Sequence, residues 1–469
     1  MGSAELPVVV IGAGPVGLAA AAHLLERGLT PLVLESGDQA GAAIGQWGHT
    51  RLFSPWRYNI DAAAARLLEA EGWSAPDPEA LPTGTELVEQ YLHPLAATAA
   101  LAPHLHTGAR VLAVSRAGMD KTRTTHRADT PLLVRTQQAG GGIHDHLAQA
   151  VLDATGTWSK PNPLGQAGLS APGEDQARAA GRITAPLPDV TGAARDRFAG
   201  HRVLVVGAGH SAANTLLELA TLAEQSPATR ICWAIRGADV TQVYGGEARD
   251  ELAARGALGA RLRRLVESGA IEVHPSFTIT SFTTTDTALT VHASTPTGDR
   301  DVEVDVLVPA TGFRPDLGIL AELRLDLDPA VEAPRQLGPL IDPEFHSCGT
   351  VSPHGQRQLA HPEPDVYIVG MKSYGRAPTF LMATGYEQVR SIAASLAGDQ
   401  AAADNVHLDL PETGVCSTDL GGSCDAPVAG PAATEEGCCA PSPASGSVLS
   451  TPSAVSGPVL LPVQTSTCC

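Results

Sequence analysis

The stretch from Pro7 to Glu35 constrains the fold more than any other part of the 469-residue chain. Val8 to Ile11 is an apolar, β-branched run that reads as a buried parallel strand. Gly12, Gly14 and Gly17 follow as G-x-G-x-x-G, and Pro15 and Val16 open an Ala/Leu-rich helix. A second apolar run ends at Leu34, with Glu35 placed 18 residues beyond the last glycine and Ser36 next to it. Gly12 permits the tight turn, Gly14 lets a pyrophosphate approach the backbone, and Gly17 lets helix and strand pack closely. The helix N-terminus offers unpaired N–H groups and a positive dipole end to phosphate. Glu35 can accept hydrogen bonds from a ribose diol, and its charge repels a 2′-phosphate. The same run is apolar enough to resemble a membrane span, but its three glycines and Pro15 argue for strand, turn and helix instead.

A second copy of this grammar starts at His201. Val203 to Val206 is its strand, and Gly207, Gly209 and Ala212 form G-x-G-x-x-A, with His210 and Ser211 at the helix start. The following strand ends in Arg236 rather than in an acid. An arginine there pairs with a 2′-phosphate, which favours NADPH over NADH; the alternative is a solvated arginine in a turn. Two identical tripeptides, Ala154-Thr155-Gly156 and Ala310-Thr311-Gly312, stand where the chain passes between domains. Val111, on a strand between the two glycine motifs, is a further candidate at the first site. The expected fold is α/β: two Rossmann-like domains, the first over 1–160 and 305–398, the second inserted at 161–304.

The formal net charge of −19 disfavours a nucleic-acid partner. Only Lys121, Lys160 and Lys372 are lysines, so any phosphate clamp relies on arginine or backbone. Six residues before the first strand leave no room for a signal peptide, and the expected location is cytoplasmic, with no membrane attachment. Residues 399–469 are rich in Pro, Gly, Ser, Thr and Ala and read as a disordered tail holding six of the eight cysteines. Adjacent thiols strain as a disulfide but chelate soft centres, which makes Cys438, Cys439, Cys468 and Cys469 candidate metalloid ligands. The alternative is a low-complexity tail with adventitious cysteines.

Trp47, Arg51, Phe53, Trp56, Arg57, Tyr58 and Asn59 crowd into one loop of a chain poor in aromatics. Such a loop either walls a flavin ring or is a surface loop anchored by its aromatics; in the first case Trp47 packs on the ring, and Arg51 and Asn59 are candidate catalytic groups. Thr83 and Glu86 have capping-box spacing at the head of a helix. His346, Cys348, His354 and His361 lack zinc-site spacing; they either line the substrate side of the flavin, with Cys348 a catalytic candidate, or are for the most part polar groups of a loop. A helix over 380–396 is expected to aim its N-terminus at the flavin.

Two dinucleotide motifs, the first ending in Glu35 and the second in Arg236, with A-T-G at both crossings, resemble the two-domain FAD/NADPH flavoproteins. Within them the set is similar to the class B flavin-containing monooxygenases, through GQWGHTRLFSP, PTGTELVEQYL, DATGTWSKPNP and PATGFRPD. The family's F-x-G-x-x-x-H ahead of the second glycine motif is not matched, since 173–192 holds no histidine. HSCGTVSPHG, KSYGRAPTFLMATGYEQVRS and LPETGVC resemble monooxygenase-like flavoproteins of arsenic-resistance gene clusters. The resemblance implies FAD, NADPH and a small-molecule substrate such as trivalent arsenic or a thiol. Two other readings stay open. One is a flavoprotein disulfide or thiol reductase using the tail cysteines, although 36–60 has no cysteine and Cys232 stands alone. The other is a non-enzymatic metalloid-binding flavoprotein.

Overall fold

The computed structural model describes residues 6–244, 253–343, 351, 353–377 and 380–408, all within one compact unit. The first sheet is parallel, in the order β15-β7-β1-β2-β3. Its strands are β1 (Val8–Ile11), β2 (Pro31–Leu34), β3 (Leu105–His106), β7 (Ala150–Asp153) and β15 (Val366–Ile368). Side chains of β1 and β7 are buried on both faces, as their continuous apolar runs demand. The helix Pro15–Glu26 packs on one face together with the helix Met382–Leu396. A three-stranded antiparallel meander covers the other face, made of β4 (Ala109–Arg116), β5 (Leu132–Gln138) and β6 (Ile143–Ala148).

The second lobe repeats this plan. Its parallel sheet runs β10-β9-β8-β14, from β8 (Arg202–Val206), β9 (Arg230–Ala234), β10 (Glu272–His274) and β14 (Val306–Pro309). The helices His210–Gln225 and Ala253–Glu267 belong to one side. A second meander of β11 (Thr278–Thr284), β12 (Leu289–Thr295) and β13 (Gly298–Val304) covers the other. The α/β fold with two dinucleotide-type lobes is therefore as the sequence implies. The boundary is not: Val306–Pro309 pairs along β8, so the chain returns to the first lobe only after this strand. A boundary at 304/305 separates this strand from its own sheet.

The capping box forms as expected, with Glu86 N–H donating to Thr83 Oγ1 at 3.1 Å and Thr83 N–H to Glu86 Oε2 at 2.7 Å. The helix behind it is not regular; it widens into a π-turn at Val88–Leu92 before continuing as His93–Ala97. Pro94 has no N–H to give the Gln90 carbonyl, and that carbonyl accepts from Trp73 Nε1 instead, at 2.9 Å. No helix among the described residues is long and apolar enough to cross a membrane.

Candidate functional site: two dinucleotide cradles

Each lobe ends its central strand in a glycine with positive φ, 101° at Gly12 and 133° at Gly207. A side chain at Gly12 would stand 2.9 Å from the Ala154 carbonyl oxygen, and one at Gly207 would stand 2.0 Å from that of Ala310. The two A-T-G tripeptides thus pack against the first glycine of each fingerprint. Their small alanine lets the crossing strand come this close, and Gly156 and Gly312, with φ of 66° and 77°, turn the chain away. Gly17 packs tighter still, where a Cβ would fall 1.9 Å from the Gly12 oxygen. Ala212, at the corresponding place in the second lobe, is fully buried.

Gly14 and Gly209 are of another kind. Among the described residues, nothing lies within 4 Å of where their Cβ atoms would project. Both are N-caps in extended conformation, with no side chain bonded over the helix end. The N–H groups of Val16 and Gly17, and of His210, Ser211 and Ala212, have no intrahelical acceptor. Pro15, at the first helical position, loses an N–H that would have had none either. An open surface, free N–H groups and a helix dipole together fit a pyrophosphate in each lobe.

Glu35 stands at the end of β2 beside the first cradle. Its Oε2 accepts from Ala13 N–H and its Oε1 from Gly37 N–H, both at 2.7 Å, and Ser36 Oγ donates to Oε1 at 3.3 Å. These bonds fix the carboxylate against the glycine turn while leaving lone pairs for a ribose diol. In the second lobe Arg236 follows β9, is exposed, and has no ion-pair partner among the described residues.

The aromatic loop is placed by contacts that its sequence did not reveal. The Trp47 and Trp158 rings are 6.4 Å apart, and Trp158 and Phe313 are 4.9 Å apart. Trp158 Nε1 also donates to Gln46 Oε1 at 2.8 Å. A wall of three rings thus joins the loop to both inter-lobe linkers. Those linkers are tied to each other: Asn162 N–H donates to the Gly312 carbonyl at 2.9 Å, and Thr311 Oγ1 to the Asn162 carbonyl at 2.8 Å. The Phe53 ring lies 5.0 Å from the His210 imidazole at the start of the second nucleotide helix.

Two catalytic candidates are turned to other work. Asn59 is fully buried; its Nδ2 donates to the Ser54 carbonyl at 2.7 Å and its Oδ1 accepts from Ser54 Oγ at 2.9 Å. Its amide therefore holds the loop in shape rather than facing an open site. Arg51 is exposed, donates to the Leu81 carbonyl and lies 3.7 Å from Glu86 Oε2, on the capping box. Val111 is buried in the core between sheet and meander. His354 and His361 have separate partners, Gln388 at 3.0 Å and the Asp326 N–H at 3.3 Å. Cys348, His346, Cys438, Cys439, Cys468 and Cys469, and the tail beyond 408, lie outside the described residues.

Below the first A-T-G is a pair that sequence reasoning missed. Lys372 Nζ reaches Asp153 Oδ2 at 2.6 Å and Thr155 Oγ1 at 3.0 Å, and Thr155 Oγ1 donates to Asp153 Oδ1 at 2.7 Å. The signal was available, since Lys372 is one of three lysines and directly follows the apolar run from Val366 to Met371.

The family described as pyridine nucleotide-disulphide oxidoreductase matches residues 9–344. No curated protein matches the chain. Among solved structures, the bacillithiol disulfide reductase of Bacillus cereus is similar with a TM-score of 0.62 at 18% identity, over 84% of this chain and 99% of that one. The ornithine N-hydroxylase of Kutzneria sp. 744, solved with reduced FAD, NADP+ and L-ornithine, gives 0.55 at 16% identity, over 84% and 99%. The thioredoxin reductase of T. acidophilum gives 0.53 at 15%, over 84% and 98%. At these identities the likeness is one of fold, and it is shared by disulfide reductases and monooxygenases alike.

Proposed function

The chain belongs to the pyridine nucleotide-disulphide oxidoreductase family, and from that premise we propose that it is an FAD- and NADPH-dependent oxidoreductase of monooxygenase type. The first cradle, with Glu35, suits FAD; the second, with Arg236, suits NADPH. FAD supplies the two-electron redox chemistry when bound. The chain's own residues do the rest. The Val16 and Gly17 N–H groups would donate to the FAD pyrophosphate, Glu35 would accept from its ribose hydroxyls, and the His210, Ser211 and Ala212 N–H groups would donate to the NADPH phosphates. Trp47, Trp158 and Phe313 wall the linker side against water.

The observation that carries this reading is the 5.0 Å contact of Phe53 with His210. It brings the loop beside the first cradle onto the helix end of the second, so that nucleotides held in the two cradles would share one wall. The oxygenase assignment is supported by the cysteines. The sequence holds no C-x-x-C, and the cysteine nearest a cradle motif, Cys232, is in β9 with its thiol pushed up to about 11 by burial and by Glu272. A protonated thiol in a sheet is a poor electron relay. The acceptor then comes from outside the core: O2 together with a soft nucleophile, for which trivalent arsenic is our first choice on the resemblance of segments. The setting we propose is the reducing cytoplasm, where the tail cysteines remain thiols able to hold the metalloid.

A disulfide or thiol reductase is the second reading, favoured by the family itself and by the likeness to bacillithiol disulfide reductase. It would pass electrons through Cys438-Cys439 or Cys468-Cys469. The test is the balance of NADPH, O2, peroxide and arsenate in the purified full-length protein given arsenite. Oxygenation consumes NADPH and O2 in equal amounts and yields as much arsenate and no peroxide. Anaerobic NADPH oxidation on adding a disulfide, lost when the tail cysteines are serine, would establish the reductase instead. NADPH turned over only to peroxide, with arsenite bound but unchanged, would leave a metalloid-binding flavoprotein.

A further inference from the structure

Away from both cradles, the β9–β10 edge gathers one cysteine, one histidine and one glutamate. In this parallel pair Cys232 stands opposite Glu272 and Ala234 opposite His274. Side chains two residues apart on a strand share a face, so Cys232, Glu272 and His274 all project to one side of the sheet. Their donor atoms lie within 4.8 Å of one another, a set of three found at no other place among the described residues. Cys232 Sγ is 4.0 Å from Glu272 Oε2, and His274 Nε2 is 3.5 Å from Glu272 Oε1. A tetrahedral ion with bonds of about 2.0–2.3 Å holds its donors roughly 3.3–3.8 Å apart. The observed 3.5 and 4.0 Å stand close to that spacing.

His274 provides the independent observation. It is only 2% exposed, yet neither ring nitrogen has a hydrogen-bond partner among the described residues. Such burial of a polar ring is costly unless something pairs with it. The Phe277 ring, 5.7 Å away, gives it no partner.

We propose that Cys232, Glu272 and His274 form a binding site for one divalent cation of the zinc class. Mixed S, N and O donors select borderline ions over calcium or magnesium, which take oxygen. Three protein ligands leave a fourth position for water. Binding replaces the Cys232 S–H bond by a metal–sulfur bond, and the proton leaves to solvent past exposed Glu272. Arg300, 3.4 Å from Glu272 Oε1, competes with the ion for that carboxylate. Beyond the site, Ile235 N–H donates to the His274 carbonyl at 3.1 Å and Ser276 N–H to that of Gly237 at 2.7 Å. An ion here therefore braces the strand end that carries Arg236.

The test uses the full-length protein with Cys348, Cys416, Cys424, Cys438, Cys439, Cys468 and Cys469 all changed to serine, so that Cys232 is the sole thiol. Zn²⁺ is titrated calorimetrically, and the loaded protein is measured by X-ray absorption at the zinc edge. The expected result is one equivalent bound, with one sulfur at about 2.3 Å beside nitrogen and oxygen at about 2.0–2.1 Å. Cys232→Ser, His274→Gln and the surface variant Glu272→Gln should each weaken binding at least about tenfold, and Arg300→Ala should strengthen it. A zinc shell of nitrogen and oxygen alone, or no zinc bound, would overturn the site. The absorption measurement needs no further variant and so stands even if one of them folds poorly.

Discussion

Lys372 Nζ lies 2.6 Å from Asp153 Oδ2, and the two side chains are 1% and 0% exposed. The pair is 219 residues apart in sequence and stands directly beneath Thr155, the middle of the first A-T-G. The lysine comes from the turn after β15, the aspartate from the end of β7, so one ion pair locks two neighbouring strand ends under the first cradle.

Replacing Lys372 by methionine leaves a buried carboxylate without its cation. The expected loss is about 3–5 kcal/mol of folding free energy, read as a lower urea midpoint, together with release of FAD on gel filtration. Adding Asp153→Asn removes the stranded charge and should restore part of the stability. If Lys372→Met alone is neutral, the pair does not hold the cradle.

Gly14 and Gly17 are three residues apart but predict opposite outcomes. A side chain at Gly14 enters open space in an extended backbone, so Gly14→Val should cost only about 1 kcal/mol, the penalty for a poorer N-cap residue, while abolishing FAD retention. A side chain at Gly17 meets the Gly12 carbonyl at 1.9 Å, so Gly17→Val should give little folded protein. Thermal melts and bound-flavin absorbance separate the two effects. Gly209→Val should mimic Gly14→Val in the second lobe, with NADPH binding lost and FAD kept.

Arg236 is exposed and unpaired among the described residues, free to meet a 2′-phosphate. Losing one charge-assisted pair costs about 1.5–3 kcal/mol, so Arg236→Ala should raise KM for NADPH at least about tenfold with little change for NADH. Equal effects on both nucleotides would remove the arginine from phosphate recognition.

Glu218, on the helix His210–Gln225, has its carboxyl pushed up to about 7 by burial, against a hydrogen bond from Val190 and with repulsion from Asp189. Its folded value lies above the ordinary 4.5, so the stability it contributes is complete below that pH and is lost as pH rises through 7. Glu218→Gln should then be close to neutral at pH 4 and stabilising by on the order of 1–3 kcal/mol at pH 8. A pH-independent difference in denaturation midpoint would contradict this.

The amino-acid sequence by itself determined the two cradles, since glycine spacing, apolar runs and the acid or arginine at a strand end are properties of consecutive residues. It likewise determined the capping box of Thr83 and Glu86 and the helix that closes the first lobe, which the structure begins at Met382. It also marked both A-T-G crossings, though not that Ala154 and Ala310 press against Gly12 and Gly207. Tertiary structure alone decided which side chains meet. Asn59 spends its amide on Ser54, Phe53 reaches His210, Lys372 finds Asp153, and Cys232 joins Glu272 and His274. It also gave Val306–Pro309 to the second sheet. Local spacing encodes turns and periodicity, whereas these meetings depend on strand order and register, which are set when distant apolar faces are buried together.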